Sequence, residues 1–323
     1  TAPFSVVEYL VFHVSEEDEY IDRVNLGIDW TAAGRDSLLK QVKSFKAFAP
    51  SVTGCEDHKL NVITLGPRGA GKTSYGNGTF SSLRGRLTEI LHAAPAAGDV
   101  TTKQRNISMQ PFVNMGYCDV PGWTSVKDWP TYLRLLRCIV LGKTRDEESL
   151  LPITEDLLAD IEARPAAPYD KQIHCMIVLR PVEDDRPVFV EKLKSIVQEF
   201  DVRVPVVVGL TKVDRVLPAT ATLKNVYALD DVLAARETLA RQVGLDANRI
   251  MPLATYGGGI AHPNVEVEIL VLSILKKAQA LAEKALETHG RFLMRQRQRQ
   301  GPATTAGQAS VPPPGSQPPS PNA

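Results

Sequence analysis

The chain has 323 residues, 43% of them apolar and 23% charged, which supports one large folded domain or two ordinary ones and excludes a wholly disordered polymer. Its 37 Lys and Arg balance 37 Asp and Glu, so no net field draws it to nucleic acid or an acidic bilayer, and no DNA partner is expected. Apolar runs such as Ile173 to Leu179 fall far short of the ~20 residues that span a bilayer, so no transmembrane segment is expected either.

In chain order, residues 4–14 are apolar and β-branched and read as a strand or a turn of buried helix. Glu16 to Asp22 reads as solvated loop. From Gly34 to Phe48 the apolar residues Leu38, Leu39, Val42 and Phe45 follow helical spacing, and Pro50 and Gly54 end that segment. Leu60 to Leu65 reads as a strand entering a glycine-rich turn. A helix follows from Lys72, although Gly76 and Gly78 weaken it by about 1 kcal/mol each relative to alanine. Asn106 to Val113 and Met115 to Asp119 are expected strands, and Trp129 to Val140 an expected helix.

The charged, proline-containing stretch 143–170 suggests a surface insertion. Ile173 to Leu179 and Val204 to Leu210 are continuous apolar runs, as in strands buried on both faces. Helices are expected over Glu191 to Phe200, Leu229 to Val243 and Val265 to Leu286, with a short strand at Ile250 to Ala254. This alternation predicts an α/β fold with a mainly parallel sheet flanked by helices. The Arg/Gln stretch and the proline-rich end, residues 289–323, read as a disordered tail.

Gly66-Pro67-Arg68-Gly69-Ala70-Gly71-Lys72-Thr73 matches G-x-x-x-x-G-K-[ST], directly after a strand and opening a helix. Backbone N–H groups of Gly66, Arg68, Gly69, Ala70 and Gly71, with those at Lys72, Thr73 and Ser74, are placed to cradle phosphates at a helix N-terminus. Lys72 would reach the β- and γ-phosphates, and the Thr73 hydroxyl a Mg²⁺ ion. Asp119-Val120-Pro121-Gly122 ends the third strand. There Asp119 would hold Mg²⁺ and the Gly122 N–H would meet a γ-phosphate. Thr211-Lys212-Val213-Asp214 closes a buried strand. Its carboxylate, Asp214, suits the two N–H donors of guanine, with Lys212 along the base and Thr255 in the following loop. Thr102, or its neighbour Thr101, is the candidate switch threonine for metal and γ-phosphate. In efficient GTPases a glutamine follows the Gly122 position to orient water. Here that residue is Trp123, so hydrolysis must use another group or another chain, or be very slow.

With these motifs in place, the chain resembles the interferon-induced protein 44-like family of P-loop GTPases. The resemblance runs from about Trp30 to about Leu281. It includes Leu38-Leu39, Lys43-Ser44-Phe45, GPRGAGKTS with Asn77, Cys118-Asp119, Ile173-His174-Cys175, TKVD, and Asp231 to Leu245. It implies a Ras-like G domain over residues 54–288, behind an extension over residues 1–53 that carries the amphipathic helix. It also implies GTP/GDP and Mg²⁺ as cofactors and a cytoplasmic protein of interferon-linked immunity with an unidentified protein partner. About 50 residues precede the G domain, which implies that the TLDc domain of many members is missing, by truncation or in a short member. Arg68 stands where the family usually has valine, and is either a solvated loop residue or a contact to a nucleotide, in cis or across a G-domain dimer. Thr73 replaces the commoner serine and keeps the hydroxyl. Two functions remain in contention, a slow GTPase switch and a non-hydrolysing GTP-binding scaffold. An ATPase or nucleotide kinase would require the TKVD match to be accidental.

Four scattered cysteines, Cys55, Cys118, Cys138 and Cys175, point to buried thiols in a reducing compartment. The start, Thr1-Ala2-Pro3, carries no basic leader, so no secretory signal is expected. His174 reads as a core residue.

Overall fold

The computed structural model describes residues 28–46, 59–91, 102–123, 128–219, 221–256 and 263–300, with 289–300 described by backbone alone. Helix α1 (Ala32–Ser44) precedes strand β1 (Leu60–Leu65), and α2 (Lys72–Arg84) follows it. Then come β2 (Arg105–Ser108), β3 (Met115–Asp119), α3 (Trp129–Val140) and α4 (Glu155–Ala163). Strand β4 (Cys175–Pro181), helix α5 (Pro187–Phe200), strand β5 (Val206–Thr211), helix α6 (Asp230–Val243), strand β6 (Ile250–Leu253) and helix α7 (Val265–Gln300) complete the order.

The six strands form one sheet in the order β2-β3-β1-β4-β5-β6. Only the edge pair β2–β3 is antiparallel. Strands β4 and β5 are the continuous apolar runs, buried at nearly every position, as a sheet covered on both faces demands. At the opposite edges, β2 alternates between half-buried and exposed residues, and β6 tolerates Pro252 because an edge strand has an N–H to spare. The chain leaves β1 toward β3 on one side and later enters β4 on the other. Strand order therefore reverses beside β1 and opens a crevice at its C-terminal end. This order, with the glycine-rich β1–α2 loop, is the Ras-like P-loop NTPase fold.

Helices α1, α2 and α7 pack on one another, and α7 lies on β1, β4, β5 and β6. Leu270, Leu272, Ile274 and Leu275 of α7 are fully buried. Helix α1 is a working part of this layer: Val42 is fully buried, and the Gln279 amide donates to the Val42 carbonyl at 3.1 Å. Arg35 pairs with the buried Glu268 of α7. This helix lies in the segment 1–53 expected as an extension ahead of the G domain.

Several expectations shift. The strand expected over Asn106 to Val113 stops at Ser108, because Pro111 has no N–H for a ladder and the chain turns, with Phe112 N–H bonded to the Met109 carbonyl at 3.1 Å. The helix expected from Glu191 begins at Pro187, whose fixed φ suits a first helical position. Stretch 143–170 is not a mere surface insertion. Leu150, Leu158 and Ile161 are buried, Thr154 caps α4 through the Leu157 N–H at 3.2 Å, and Arg134 of α3 forks onto Glu162 at 3.0 and 2.8 Å. Helix α7 continues to Gln300, into a segment expected to be disordered. The remainder of that tail, the apolar stretch 4–14 and the loop Glu16 to Asp22 lie outside the described residues.

Cys118, Cys138 and Cys175 are free and buried, while Cys55 lies outside the described residues. His174 is a core residue. Its Nδ1 accepts from the Asn61 N–H at 2.9 Å, which leaves Nε2 to donate to the Tyr169 carbonyl at 3.0 Å. Among the described residues no helix is long and apolar enough to cross a membrane. Leu158→Ala should cost about 2–4 kcal/mol in urea unfolding, as for a core leucine. A change below about 0.5 kcal/mol would return α4 to a peripheral insertion.

Candidate functional site

The site begins with the turn between β1 and α2. Gly66, Gly69 and Gly71 have φ of 147°, 77° and 91°, values that side chains rarely adopt. At Gly66 a Cβ would also lie 2.4 Å from the Leu179 carbonyl of neighbouring β4. The first turn of α2 contains no acidic residue, so its N–H groups and helix dipole carry unopposed positive potential. Lys72 is 8% exposed, and its Nζ donates to the Gly66 and Pro67 carbonyls at 3.2 and 3.1 Å. Burial lowers its pKa, and the facing Asp119 works against that. The ammonium is thus held inside its own loop by two neutral acceptors that an incoming anion can replace.

Asp119 ends β3, pairs in register with Thr64 of β1, and is 2% exposed. One carboxylate oxygen, Oδ1, is buried without a hydrogen-bond partner. Burial pushes the pKa up to about 6, opposed by Lys72, Arg105, the Val120 N–H and the Thr64 hydroxyl. A buried, partnerless carboxylate oxygen beside a helix N-terminus fits a hard cation that would take its remaining ligands from a bound anion and water. Thr73, half-exposed in the first turn of α2, is the residue that would share it. Among the described residues no group of three His, Cys, Asp or Glu could hold a metal ion.

The segment after Asp119 crosses the loop. The Trp123 N–H points to the Gly66 carbonyl at 3.4 Å. A Cβ on Gly122 would sit 3.0 Å from both the Lys72 Nζ and the Arg68 backbone nitrogen, so only glycine lies this close. The Trp123 ring is 2% exposed and packs against Trp129 (centroids 5.7 Å, perpendicular) and Phe189 (5.4 Å). It therefore belongs to the core between α3 and α5. From the other side come the ends of β5 and β6. The Cγ2 of Thr211 and the Oγ1 of Thr255 each lie 3.9 Å from where a Gly71 Cβ would be. Thr211 is 1% exposed, with its hydroxyl unpartnered. Lys212 takes a left-handed turn (φ 62°, ψ 28°) that opens the short helix 213–215 carrying the half-buried Asp214.

The structure thus gathers Gly66, Lys72, Asp119, Gly122, Thr211 and Thr255 at one end of the sheet. Arg68 and Gly69 are exposed at the loop tip and Ala70 is buried beneath it. Ser74, half-buried, follows in α2. Thr102 is not brought in. It is exposed, and its carbonyl accepts from the Leu150 N–H at 2.9 Å, so its contact is with the loop before α4. Thr101 lies outside the described residues. Two residues that motif reading passed over, Thr64 and Tyr117, are buried behind Asp119 with their hydroxyls 2.9 Å apart. Their signal in the sequence is a polar residue two places before each motif, inside an otherwise apolar strand.

No protein-family model matches the chain. Over 296 residues it is 24% identical to interferon-induced protein 44 of Pan troglodytes and, equally, of Homo sapiens, covering 88% of this chain and 63% of each relative. The chain therefore spans less than two thirds of the length of those proteins. Similar solved structures include Aquifex aeolicus Era bound to GDP and AlF4⁻ (18% identity, 67% of this chain and 56% of that one, TM-score 0.39). They also include Arabidopsis thaliana Toc33 with GDP and Mg²⁺ (15% identity, 80% and 95%, TM-score 0.43). The bacterial dynamin GTPase LeoA is a third (11% identity, 86% and 48%, TM-score 0.47).

The raised pKa of Asp119 has a consequence for stability. Between about pH 4 and 6 the folded chain holds a proton that the unfolded chain has lost, so this group adds stability as pH falls through 6 and opposes folding above it. Asp119→Asn should therefore stabilise the nucleotide-free protein at pH 7.5, by up to about 3 kcal/mol, and flatten the pH dependence of its melting between pH 4 and 7. Thermal melts in EDTA check this. A destabilised Asn variant would mean that attraction to Lys72 outweighs the burial cost.

Proposed function

We propose that the chain is a guanine-nucleotide-binding protein, a slow Mg²⁺-dependent GTPase switch of the cytoplasm with a role in interferon-linked innate immunity. The observation that carries the nucleotide reading is the convergence of three separate segments on one helix N-terminus: the loop 66–73, Asp119 to Gly122, and Thr211 with Thr255. The immune role rests on the 24% identity to interferon-induced protein 44.

In this reading the loop N–H groups hold the phosphates, and the Lys72 ammonium leaves the Gly66 and Pro67 carbonyls to meet the β- and γ-phosphate oxygens. Asp119 and Thr73 would hold Mg²⁺, which supplies charge neutralisation to the phosphoryl group. Asp214 accepts from the guanine N1–H and N2–H, and Thr211 and Thr255 line the loop beneath the nucleotide. The Gly122 N–H donates to the γ-phosphate.

A second reading, a non-hydrolysing scaffold, is favoured by one feature. The side chain after Gly122 is a buried tryptophan, so that position offers no polar group to orient an attacking water. Single-turnover hydrolysis of labelled GTP separates the two readings, with Lys72→Ala as the blank. Lys72→Ala should lose nucleotide binding while keeping its circular dichroism spectrum, because the ammonium bonds to carbonyls of its own loop and not to the core. Tight GTP binding by that variant would refute the site.

Base choice is tested at Asp214. Asp214→Asn should weaken GTP binding by about 2–4 kcal/mol and move preference toward xanthosine nucleotides, since a charge-assisted pair to guanine is lost. Wild-type GTP affinity in this variant, or ATP competing equally with GTP, would return the site to an adenine nucleotide.

A further inference from the structure

Behind the phosphate loop lies a buried polar chain in what is otherwise apolar core. The Tyr117 hydroxyl sits 2.9 Å from the Thr64 hydroxyl and donates to the Lys72 carbonyl at 3.1 Å. Tyr117 is 1% exposed and Thr64 fully buried. Side chains alternate along a strand, so Tyr117 and Asp119 share one face of β3, and Thr64 is the cross-strand partner of Asp119 on β1. The Thr64 hydroxyl lies against the Asp119 carboxylate as a donor. With the Thr64 proton directed at Asp119, the single Tyr117 proton serves the Thr64 oxygen or the Lys72 carbonyl, one at a time. The chain of contacts runs from Asp119 through Thr64 and Tyr117 to the first residue of α2, next to Thr73.

This arrangement requires Gly76. A Cβ there would stand 2.4 Å from the Leu91 Cδ1, 2.8 Å from the Tyr117 hydroxyl oxygen and 2.9 Å from its Cζ, so the glycine in mid-helix makes room for both side chains. The ring also packs edge-on to Phe80, with centroids 6.1 Å apart. A helix glycine and two buried hydroxyls are three unfavourable choices taken together. Apolar groups of the same shapes would fill the space at little or no loss of stability.

We propose that Tyr117 and Thr64 are positioning residues that tie Asp119 to the first turn of α2, fixing the separation of Asp119 and Thr73 for a single divalent cation. The inference rests on the reading of Asp119 and Thr73 as the protein's contacts to that cation. Stability alone does not require the chain of hydroxyls, whereas a two-point site on different elements does require a fixed distance between them.

The test is fluorescent mant-GDP binding over a Mg²⁺ titration and in EDTA, alongside thermal melting. Tyr117→Phe keeps the ring and removes one hydroxyl, Thr64→Val removes the other at equal size, and Thr64→Ser retains it. Tyr117→Phe and Thr64→Val should each raise the Mg²⁺ concentration for half-maximal tightening about fivefold or more, the value of one hydrogen bond. Affinity in EDTA should stay within about twofold of wild type, and Thr64→Ser should behave as wild type. Both variants matching the wild-type Mg²⁺ midpoint, whatever their melting temperatures, would overturn the inference and leave the nucleotide reading intact. A wild-type protein that fails to bind mant-GDP, with or without Mg²⁺, would overturn the nucleotide reading and this inference with it.

Discussion

The structure is organised around two opposite charges buried at the end of the sheet without touching. Lys72 is turned onto its own loop carbonyls, and Asp119 keeps one oxygen unpartnered. No direct ion pair joins them among the described residues, yet each shifts the other's titration. Burying charges in this way is unfavourable unless each is fully paired. Such a site persists only inside a scaffold stable enough to carry it, and its unmet capacity is what an anion and a cation arriving together would satisfy. The two halves are complementary: the ammonium and the helix N-terminus want negative charge, while the carboxylate wants positive charge. A phosphate–metal pair supplies both.

The scaffold meets that demand by ordinary means. Strands β4 and β5 are buried almost throughout and form the stiff centre of the sheet. Helix α7 covers one face, and α1 locks onto α7 through Val42, Gln279 and the Arg35–Glu268 pair. On the other face α3, α4 and α5 are joined by arginine forks, Arg134 to Glu162 and Arg137 to Glu199. None of these contacts touches the candidate site, but together they fix the ends of β1, β3 and β5 relative to one another. Those ends carry Gly66, Asp119 and Thr211.

Where local chemistry decides, the sequence was legible. Continuous apolar runs became buried parallel strands, and the G-x-x-x-x-G-K-T loop formed at a strand-to-helix junction. TKVD closed a buried strand beside that loop, with Lys212 in a left-handed turn. Legibility failed where tertiary packing decides. The composition of stretch 143–170 is polar and broken by prolines, yet three of its apolar side chains reach the core. The α1 pattern gave a helix without revealing that its partner lies more than 200 residues away on α7. Gly76 reads locally as a weakness in α2, because nothing local shows that Leu91 and Tyr117 fill the space a side chain would take. Thr102 was placed by analogy of order along the chain, and order does not fix where a loop residue settles.

Trp123 shows how the same residue reads differently before and after folding. As a letter after Asp119-Val120-Pro121-Gly122 it is a missing catalytic glutamine. In the fold it is an anchor: its ring is wedged between Trp129 and Phe189, and its N–H rests on the Gly66 carbonyl. Burying an aromatic ring of this size is worth several kcal/mol at about 25 cal/mol per Å². Gly122 is thereby held against the Lys72 ammonium by packing that owes nothing to a ligand. A segment pinned in this way has little freedom to swing between two positions when a γ-phosphate arrives or leaves. The anchor therefore exchanges mobility of the loop for a preformed contact between Gly122 and the Arg68–Lys72 turn. That favours binding whose strength depends little on rearrangement, and it leaves any conformational signal to segments other than Gly122 and Trp123.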